Sequence, residues 1–259
     1  MFNFISFFSD VWNIITENGD LLLKGIGNTM LIAVIGTLAG LVIGLLIGIL
    51  RTTPFSKHRA LRAVHKFFNA LCAIYIEVFR GTPMMVQAMV IYWGYAFASG
   101  GNTLPLIPSG MVIVSINTGA YMAEIVRGGI ISVDKGQLEG AQAIGMTHLQ
   151  AMIYVIIPQA IRNILPSISN EFIINIKDTS VLNVIGVAEL YFYAGKIQLL
   201  NLQIFQTYFV ICVIYFVLTF SISNLLRFAE KKLDGNENYT ICGSQTDFKS
   251  QINIPQKED

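Results

Sequence analysis

A long uncharged segment near the N-terminus limits what this chain can fold into. The 26 residues from Gly25 to Leu50 contain no charged side chain, and Lys24 and Arg51 flank them. As an α-helix this segment would be ~39 Å long, which is enough to cross a lipid bilayer with some tilt. Because 54% of the chain is hydrophobic and only 13% is charged, we expect an integral membrane protein.

Four further apolar segments predict an all-α membrane protein with five transmembrane helices. The later spans are expected from about Pro83 to Ala98, Ser109 to Arg127, Arg162 to Val184 and Ile204 to Leu226. The second apolar tract begins at Phe67 and is too long for one straight span. A helix break is predicted at residues 79–83, because Pro83 disfavours a helical conformation for Thr82.

Basic residues predict the orientation of these spans. Five of them fall within the 16 residues after the first span, namely Arg51, Lys57, Arg59, Arg62 and Lys66. Three more follow the last span, namely Arg227, Lys231 and Lys232. Since loops rich in lysine and arginine stay in the cytoplasm, the N-terminus is predicted outside and the C-terminus inside the cell membrane.

The sequence divides into three segments. Residues 1–20 carry apolar side chains at helical spacing, which predicts an amphipathic helix lying on the membrane. Residues 21–233 form the predicted transmembrane domain, with a polar loop at 130–160. Residues 234–259 are polar and are predicted to be disordered.

Composition and motifs argue against several classes of function. A net charge of +1 gives no indication of nucleic-acid binding, and the three cysteines are scattered. The sequence contains no phosphate-binding P-loop and no hydrolase or metalloprotease motif. We therefore expect no catalytic residue, no metal site and no cofactor in this chain.

Glycine recurs at every fourth position in the first span. A helix would align these residues on one face, where they allow a second helix to approach closely. The helix-packing candidates are Gly36, Gly40, Gly44 and Gly48. The alternative is a glycine surface that faces lipid without a partner.

The polar segment from Asp134 to Pro158 is patterned too regularly for a slack loop. Asp134 and Thr147 are each followed three residues later by glutamine, which predicts two short helices that begin with capping boxes. Gly145 can end the first helix in a left-handed conformation, and Pro158 predicts the end of the second. Two short helices joined by a glycine turn would form a compact protrusion on the cytoplasmic side.

The spacing within this segment resembles the EAA motif of ABC importer membrane subunits. That motif consists of EAA, three residues, G, nine residues and I-x-L-P, and glycine stands here for the second residue. The matching positions are Glu139, Gly140, Ala141, Gly145 and Pro158. Residues 75–83, 120–129, 158–162 and 176–180 are similar to the branch that imports polar amino acids.

The resemblance implies a type I ABC importer fold and a set of partners. In that family the EAA segment is a coupling loop that docks onto a cytoplasmic ATPase. Two permease subunits, identical or different, pair above two ATP-binding subunits, and an extracellular or periplasmic solute-binding protein delivers the substrate. We expect this chain to be the permease subunit, surrounded by membrane lipid and coupled to the ATPase through residues 134–158.

Polar side chains inside the predicted spans are candidates for the substrate path. A charge at mid-bilayer costs at least ~2.5 kcal/mol, so such residues are rare without a purpose. An amino acid carries an ammonium and a carboxylate group, so its path needs both donors and acceptors. The candidates are Arg80, Thr82, Glu124, Glu171, Lys177, Asp178, Thr179 and Ser180. The alternative is a structural role, as an ion pair or in holding the helix break together.

Two other functions stay open from the sequence alone. One is a stand-alone secondary transporter or channel driven by an ion gradient, although we find no internal repeat of the kind that many such transporters contain. The other is a membrane-embedded structural or assembly protein, which would not need charges inside two spans.

Overall fold

The computed structural model describes residues 4–53 and 58–234, and all regular secondary structure in them is helical. The α-helices are α1 (Phe4–Glu17), α2 (Gly19–Thr52), α3 (Arg59–Gly81), α4 (Met84–Ala98), α5 (Leu106–Ile131), α6 (Lys135–Ala143), α7 (His148–Ala151), α8 (Ile157–Asp178), α9 (Leu190–Asn201) and α10 (Ile204–Asp234). A π-helical segment, Met152–Ile156, joins α7 to α8, and a 3₁₀ segment, Thr179–Ile185, follows α8. The all-α prediction is confirmed.

Four helical segments of the described residues are long and apolar enough to cross a membrane. They are Gly19–Thr52, Leu106–Ile131, His148–Ile185 and Ile204–Lys232. The remaining predicted span corresponds to α4, whose 15 residues would extend ~22 Å, less than a ~30 Å hydrocarbon core. The fifth crossing therefore stays a prediction.

The glycine face of α2 packs against α5. A Cβ atom added to Gly40 would lie 2.8 Å from Cβ of Thr118, and one added to Gly48 would lie 2.6 Å from Cγ1 of Val126. Gly36 and Gly44 face α5 in the same way. Since carbon atoms at ordinary contact are ~3.5–4.0 Å apart, α2 and α5 can approach this closely only where α2 has no side chain.

The helix break predicted at residues 79–83 is confirmed, because α3 ends at Gly81 and α4 begins at Met84. Gln87 of α4 donates hydrogen bonds to the carbonyl oxygens of Phe79 and Thr82, each at 2.9 Å. These carbonyls lie at the C-terminal end of α3, where the helix itself supplies no donor. The start of α3 lies eight residues before Phe67, where the second apolar tract begins.

The segment from Gly186 to Gln203, after α8, has a mixed polarity that predicts an external loop with a short helix. It does contain a helix, α9, but Leu190, Ala194 and Ile197 of that helix are fully buried. They pack with residues of α1, α2 and α10 in one apolar cluster. The sequence did not predict this burial, because polar residues surround the apolar residues that recur at every third or fourth position. The predicted disordered tail lies outside the described residues apart from Asp234.

Candidate functional site

The polar loop at 134–158, hereafter the coupling loop, is built from α6, a glycine turn and α7. The turn is a Schellman motif, because Met146 N donates to the Ala141 carbonyl at 3.1 Å and Gly145 N to that of Gln142 at 3.0 Å. Gly145 has a φ of +91°, so the predicted left-handed residue is confirmed. A side chain at this position would be strained although there is open space around it.

The N-termini of the two short helices are capped differently. Thr147 and Gln150 form the predicted capping box, with Gln150 N donating to Thr147 Oγ1 and Thr147 N donating to Gln150 Oε1. Asp134 accepts from Gly136 N at 2.6 Å. The full capping box predicted at Asp134 is wrong, since the Gln137 side chain instead accepts from Gln159 Nε2 at 3.4 Å.

Apolar side chains of the coupling loop divide between a buried base and an exposed surface. At the base, Val133, Ile156 and Ala160 form a buried cluster with partly buried neighbours such as Leu138 and Met152. On the surface, Ile144 is 77% exposed and Leu149 is 68% exposed. The apolar side chains of the loop are therefore divided, because only some of them meet the ends of α5 and α8. An exposed apolar surface on a rigid protrusion suits the docking of a partner.

The motif positions lie at different depths in the loop. Ala141 is buried, whereas Glu139 and Gly140 are exposed on α6. Pro158 was predicted to end a helix, and this prediction is wrong. It lies at the second position of α8, where the helical backbone continues without interruption from the π-helical segment.

Glu124 has two arginine partners. Its Oε1 accepts from Arg51 Nη1 of α2 at 2.5 Å, and its Oε2 accepts from Arg127 Nη2 at 2.8 Å and Arg127 Nε at 3.1 Å. The pair with Arg127 lies within α5, at a spacing of three residues, whereas the contact with Arg51 joins α5 to α2. Both carboxylate oxygens are occupied, which favours the structural alternative for Glu124.

Arg80 and Thr82 lie at the helix break, as predicted, but they contact different groups. The guanidinium carbon of Arg80 is 5.6 Å from the ring centre of Tyr121, a cation–π distance. Thr82 donates to the carbonyl of Val78 at 2.7 Å and accepts from Gln87 Nε2 at 2.8 Å. Thr82 therefore holds the break together, while Arg80 stays exposed.

Sequence reasoning missed two buried amide side chains beside these candidates. Asn117 of α5 donates to Gln87 Oε1 at 2.8 Å, which links α5 to the helix break. Asn175 of α8 donates to Thr37 Oγ1 of α2 at 2.8 Å and accepts from Thr118 Oγ1 of α5 at 3.1 Å. Neither amide was among the predicted candidates, although a buried amide in a span carries the same signal.

The candidate residues for the substrate path on α8, and in the 3₁₀ segment after it, lie on several different faces. Glu171, Asn175 and Asp178 are spaced four and three residues apart and so share one face of α8. Glu171 is buried and Asp178 is partly buried, whereas Lys177 is exposed. Thr179 is fully buried and donates to the carbonyl of Ile176 at 2.9 Å.

Lys177 and Ser180 line an open cavity of about 320 Å³ between α8, α9 and α10. The other lining residues are Tyr191, Tyr208, Ile211, Cys212 and Tyr215. The predicted grouping of Lys177, Asp178, Thr179 and Ser180 is thus divided among neighbouring faces, because successive helical residues are rotated by about 100°.

A buried carboxylate that contacts two of these tyrosines was not among the predicted candidates. Glu189 is fully buried, and it accepts from Tyr191 N at 3.0 Å, Phe192 N at 2.8 Å and the Tyr215 hydroxyl at 2.8 Å. Its burial raises the pKa of the Glu189 carboxyl, while these hydrogen bonds act in the opposite direction. Glu189 therefore caps α9 and ties it to α10.

Comparisons with known proteins agree with the resemblance in the coupling loop. Residues 40–235 match the family described as binding-protein-dependent transport system inner membrane component. The glutamine transport system permease protein GlnP of Escherichia coli K12 is 38% identical over 222 residues, 86% of this chain and 97% of that protein. The L-cystine transport system permease protein TcyB of Bacillus subtilis 168 is 37% identical over 225 residues, 86% of this chain and 91% of that protein.

Solved structures show the same relationship. A crystal structure of an amino acid ABC transporter with histidines contains a chain 37% identical to this one, with a TM-score of 0.74 over 90% of this chain and 99% of that chain. An inward-facing MetNI methionine ABC transporter, at 18% identity and a TM-score of 0.66 over 82% of this chain and 96% of that chain, supports the fold alone. The chain therefore belongs to the family of binding-protein-dependent transport system inner membrane components, the permease subunits of ATP-driven importers in which a separate subunit hydrolyses ATP.

Proposed function

We propose that this permease subunit carries polar amino acids into the cell and that its coupling loop transmits force from the ATPase. The substrate class is supported by the relatives, whose names specify glutamine and L-cystine. It is also consistent with acidic, basic and amide side chains on α8, which suit a substrate with two opposite charges. The single observation that carries the proposal is the EAA-like spacing on a rigid, exposed loop.

The contact with the ATPase is proposed for the outer surface of the coupling loop. Ile144 and Leu149 are large apolar side chains that are exposed there, and Glu139 lies on the same short helix pair. Apolar side chains in water favour association, whereas the buried base anchors the loop to α5 and α8. A force applied at this surface would therefore reach two spanning helices.

The proposed assembly has five crossings per permease subunit, with α3 and α4 together supplying the second. The N-terminus lies outside and the C-terminus in the cytoplasm, in agreement with both basic segments. Two permease subunits, identical or different, pair above two ATP-binding subunits. An extracellular or periplasmic solute-binding protein delivers the amino acid.

The proposed substrate path follows α8. Glu171 and Asp178 can accept hydrogen bonds from a substrate ammonium group, while Lys177 and Ser180 line the open cavity on a neighbouring face and can donate to a carboxylate. Arg80 is exposed at the helix break and is a second candidate donor. Glu124, Thr82 and Thr179 are given structural roles in this proposal because their polar atoms are engaged within the protein.

Alternating access follows from the connection between the coupling loop and α8. ATP binding would draw the two ATPase subunits together and move both coupling loops, which rotates the ends of α5 and α8 and turns the path outward. Hydrolysis would restore the inward-facing state. Such a switch requires that the partners contact the two states with different affinity.

Reconstitution tests the proposal. The chain is placed in proteoliposomes with and without a partner ATPase and a solute-binding protein, and uptake of radiolabelled glutamine and cystine is measured. Uptake should require both partners and ATP. Uptake by the chain alone under an ion gradient would instead establish a secondary transporter.

A further inference from the structure

The first half of α3 carries a basic surface that the transport mechanism above does not use. Arg59, Arg62 and Lys66 are spaced three and four residues apart, so they share one side of the helix, and all three are exposed. No aspartate or glutamate occurs in the sequence between Asp20 and Glu77. Among the residues that the structure describes, Arg59 and Lys66 form no ion pair.

An exposed apolar stripe lies on the opposite side of α3 from this basic surface. Leu61, Val64, Phe68 and Leu71 recur at helical spacing, and each is 45% exposed or more. A helix with basic side chains on one side and large apolar side chains on the opposite side is typical of the boundary between lipid headgroups and acyl chains. In water this arrangement would be unfavourable, because the exposed apolar side chains would stay in contact with water instead of lipid.

Contacts with other helices fix the depth of this surface. His65 Nε2 donates to the carbonyl of Leu50 at 3.0 Å, so the start of α3 lies level with the end of α2. Further along α3, the Tyr75 hydroxyl donates to the carbonyl of Ile116 in the middle of α5. The basic surface is therefore held at the boundary of the spanning region, where lipid phosphates lie.

We propose that Arg59, Arg62 and Lys66, with the apolar stripe on the opposite side of α3, bind anionic phospholipids of the cytoplasmic leaflet. The cations bind headgroup phosphates, and the apolar side chains contact the acyl chains. Clusters of basic residues next to a membrane span attract anionic lipid in this way. The inference rests on the proposed orientation but not on which amino acid is carried, and it makes the start of α3 a lipid anchor at the end of the molecule that carries the coupling loop.

The test measures lipid binding by the assembled transporter. The complex is placed in nanodiscs of phosphatidylcholine with phosphatidylglycerol, and bound lipids are identified by native mass spectrometry after mild release. The variant is R59Q/R62Q/K66Q, and the matched control is R227Q/K231Q/K232Q at the end of α10, which removes the same charge. Each basic residue is expected to contribute about fivefold to phosphatidylglycerol affinity at low salt. The α3 variant should therefore lose at least tenfold, and the α10 control should keep most of the wild-type binding.

Three outcomes would overturn the proposal. The first is equal loss of phosphatidylglycerol in the α3 variant and the α10 control, which would mean an unspecific charge effect. The second is unchanged lipid binding with loss of the ATPase from the complex, which would make this surface a protein interface. The third is full displacement of the lipid by inorganic phosphate, which would indicate a small-anion site. An R59K/R62K variant, which keeps the charge, must retain binding and so controls for folding.

Discussion

Arg51, the penultimate residue of α2, donates to Glu124 of α5 with 2.5 Å between Nη1 and Oε1. Arg127, one turn further along α5, occupies the other carboxylate oxygen. The two helices are therefore joined by an ion pair at the end of the interface that begins at Gly36. This end lies next to the coupling loop, so the contact fixes the register of α2 and α5 where force would enter.

Replacing Glu124 with glutamine should destabilise the protein by about 1–3 kcal/mol, because two arginines lose a charged acceptor. The measurement is the midpoint of thermal unfolding in detergent. The double variant R51Q/E124Q should recover part of the loss, since it removes one of the uncompensated charges. If E124Q melts at the wild-type temperature and retains transport, the ion pair has no structural role.

Substitution of Gly40 by valine should be far more harmful than the same change at Gly27. A Cβ atom at Gly40 would overlap Thr118, whereas nothing lies within 4 Å of one at Gly27. Overpacking of this kind costs about 1–3 kcal/mol or more. Expression level and thermal unfolding in detergent measure both variants. Equal behaviour of the two would show that α2 and α5 do not pack along the glycines.

In the coupling loop, we expect E139K and G145W to abolish transport and ATPase stimulation while membrane insertion stays normal. The charge reversal disturbs the exposed surface of α6, and any side chain at Gly145 adds backbone strain of about 1–2 kcal/mol. G140A is the control, because that position has open space and an ordinary helical backbone. Coupled transport by E139K or G145W at the wild-type level would contradict the proposed role of the loop.

On α8, E171Q and D178N should each raise the KM for amino-acid uptake about tenfold or more, since a charged hydrogen bond contributes about 1.5–3 kcal/mol. Basal ATPase activity and subunit assembly should not change. A uniform loss of assembly would instead indicate a structural role for these carboxylates. K177Q tests the neighbouring face of α8, where Lys177 is exposed. A normal KM in that variant would show that this face does not line the substrate path.

At the helix break, Q87L should destabilise the protein by about 1–3 kcal/mol, because the carbonyls of Phe79 and Thr82 and the amide of Asn117 lose a partner. Thermal unfolding and uptake should both decline. Q137L on the exposed surface of α6 is the control for loss of an amide, since its one side-chain contact is long at 3.4 Å. A Q87L protein as stable as Q137L would mean that water replaces the missing donor.

Local structure was predicted correctly at residues whose type allows few backbone conformations or hydrogen bonds. Pro83 ends a helix because it lacks an N–H group, and Gly145 accepts a positive φ that other residues avoid. Thr147 and Gln150 form their capping box within four residues of chain. Pro158 was misjudged because the sequence does not reveal that a π-helical turn precedes it.

The sequence by itself determined that this chain is helical, enters the membrane and carries the coupling-loop spacing of its family, since apolar length, glycine, proline and capping residues act locally. Only the tertiary structure decided which polar side chains meet. Asn175 contacts Thr37 across 138 residues, and Glu124 contacts Arg51 across 73. Glu189 is likewise a buried residue that accepts a hydrogen bond from Tyr215 of α10, and not an exposed loop residue. These contacts depend on how helices distant in the chain pack together, and hydrophobic patterning leaves that arrangement undetermined.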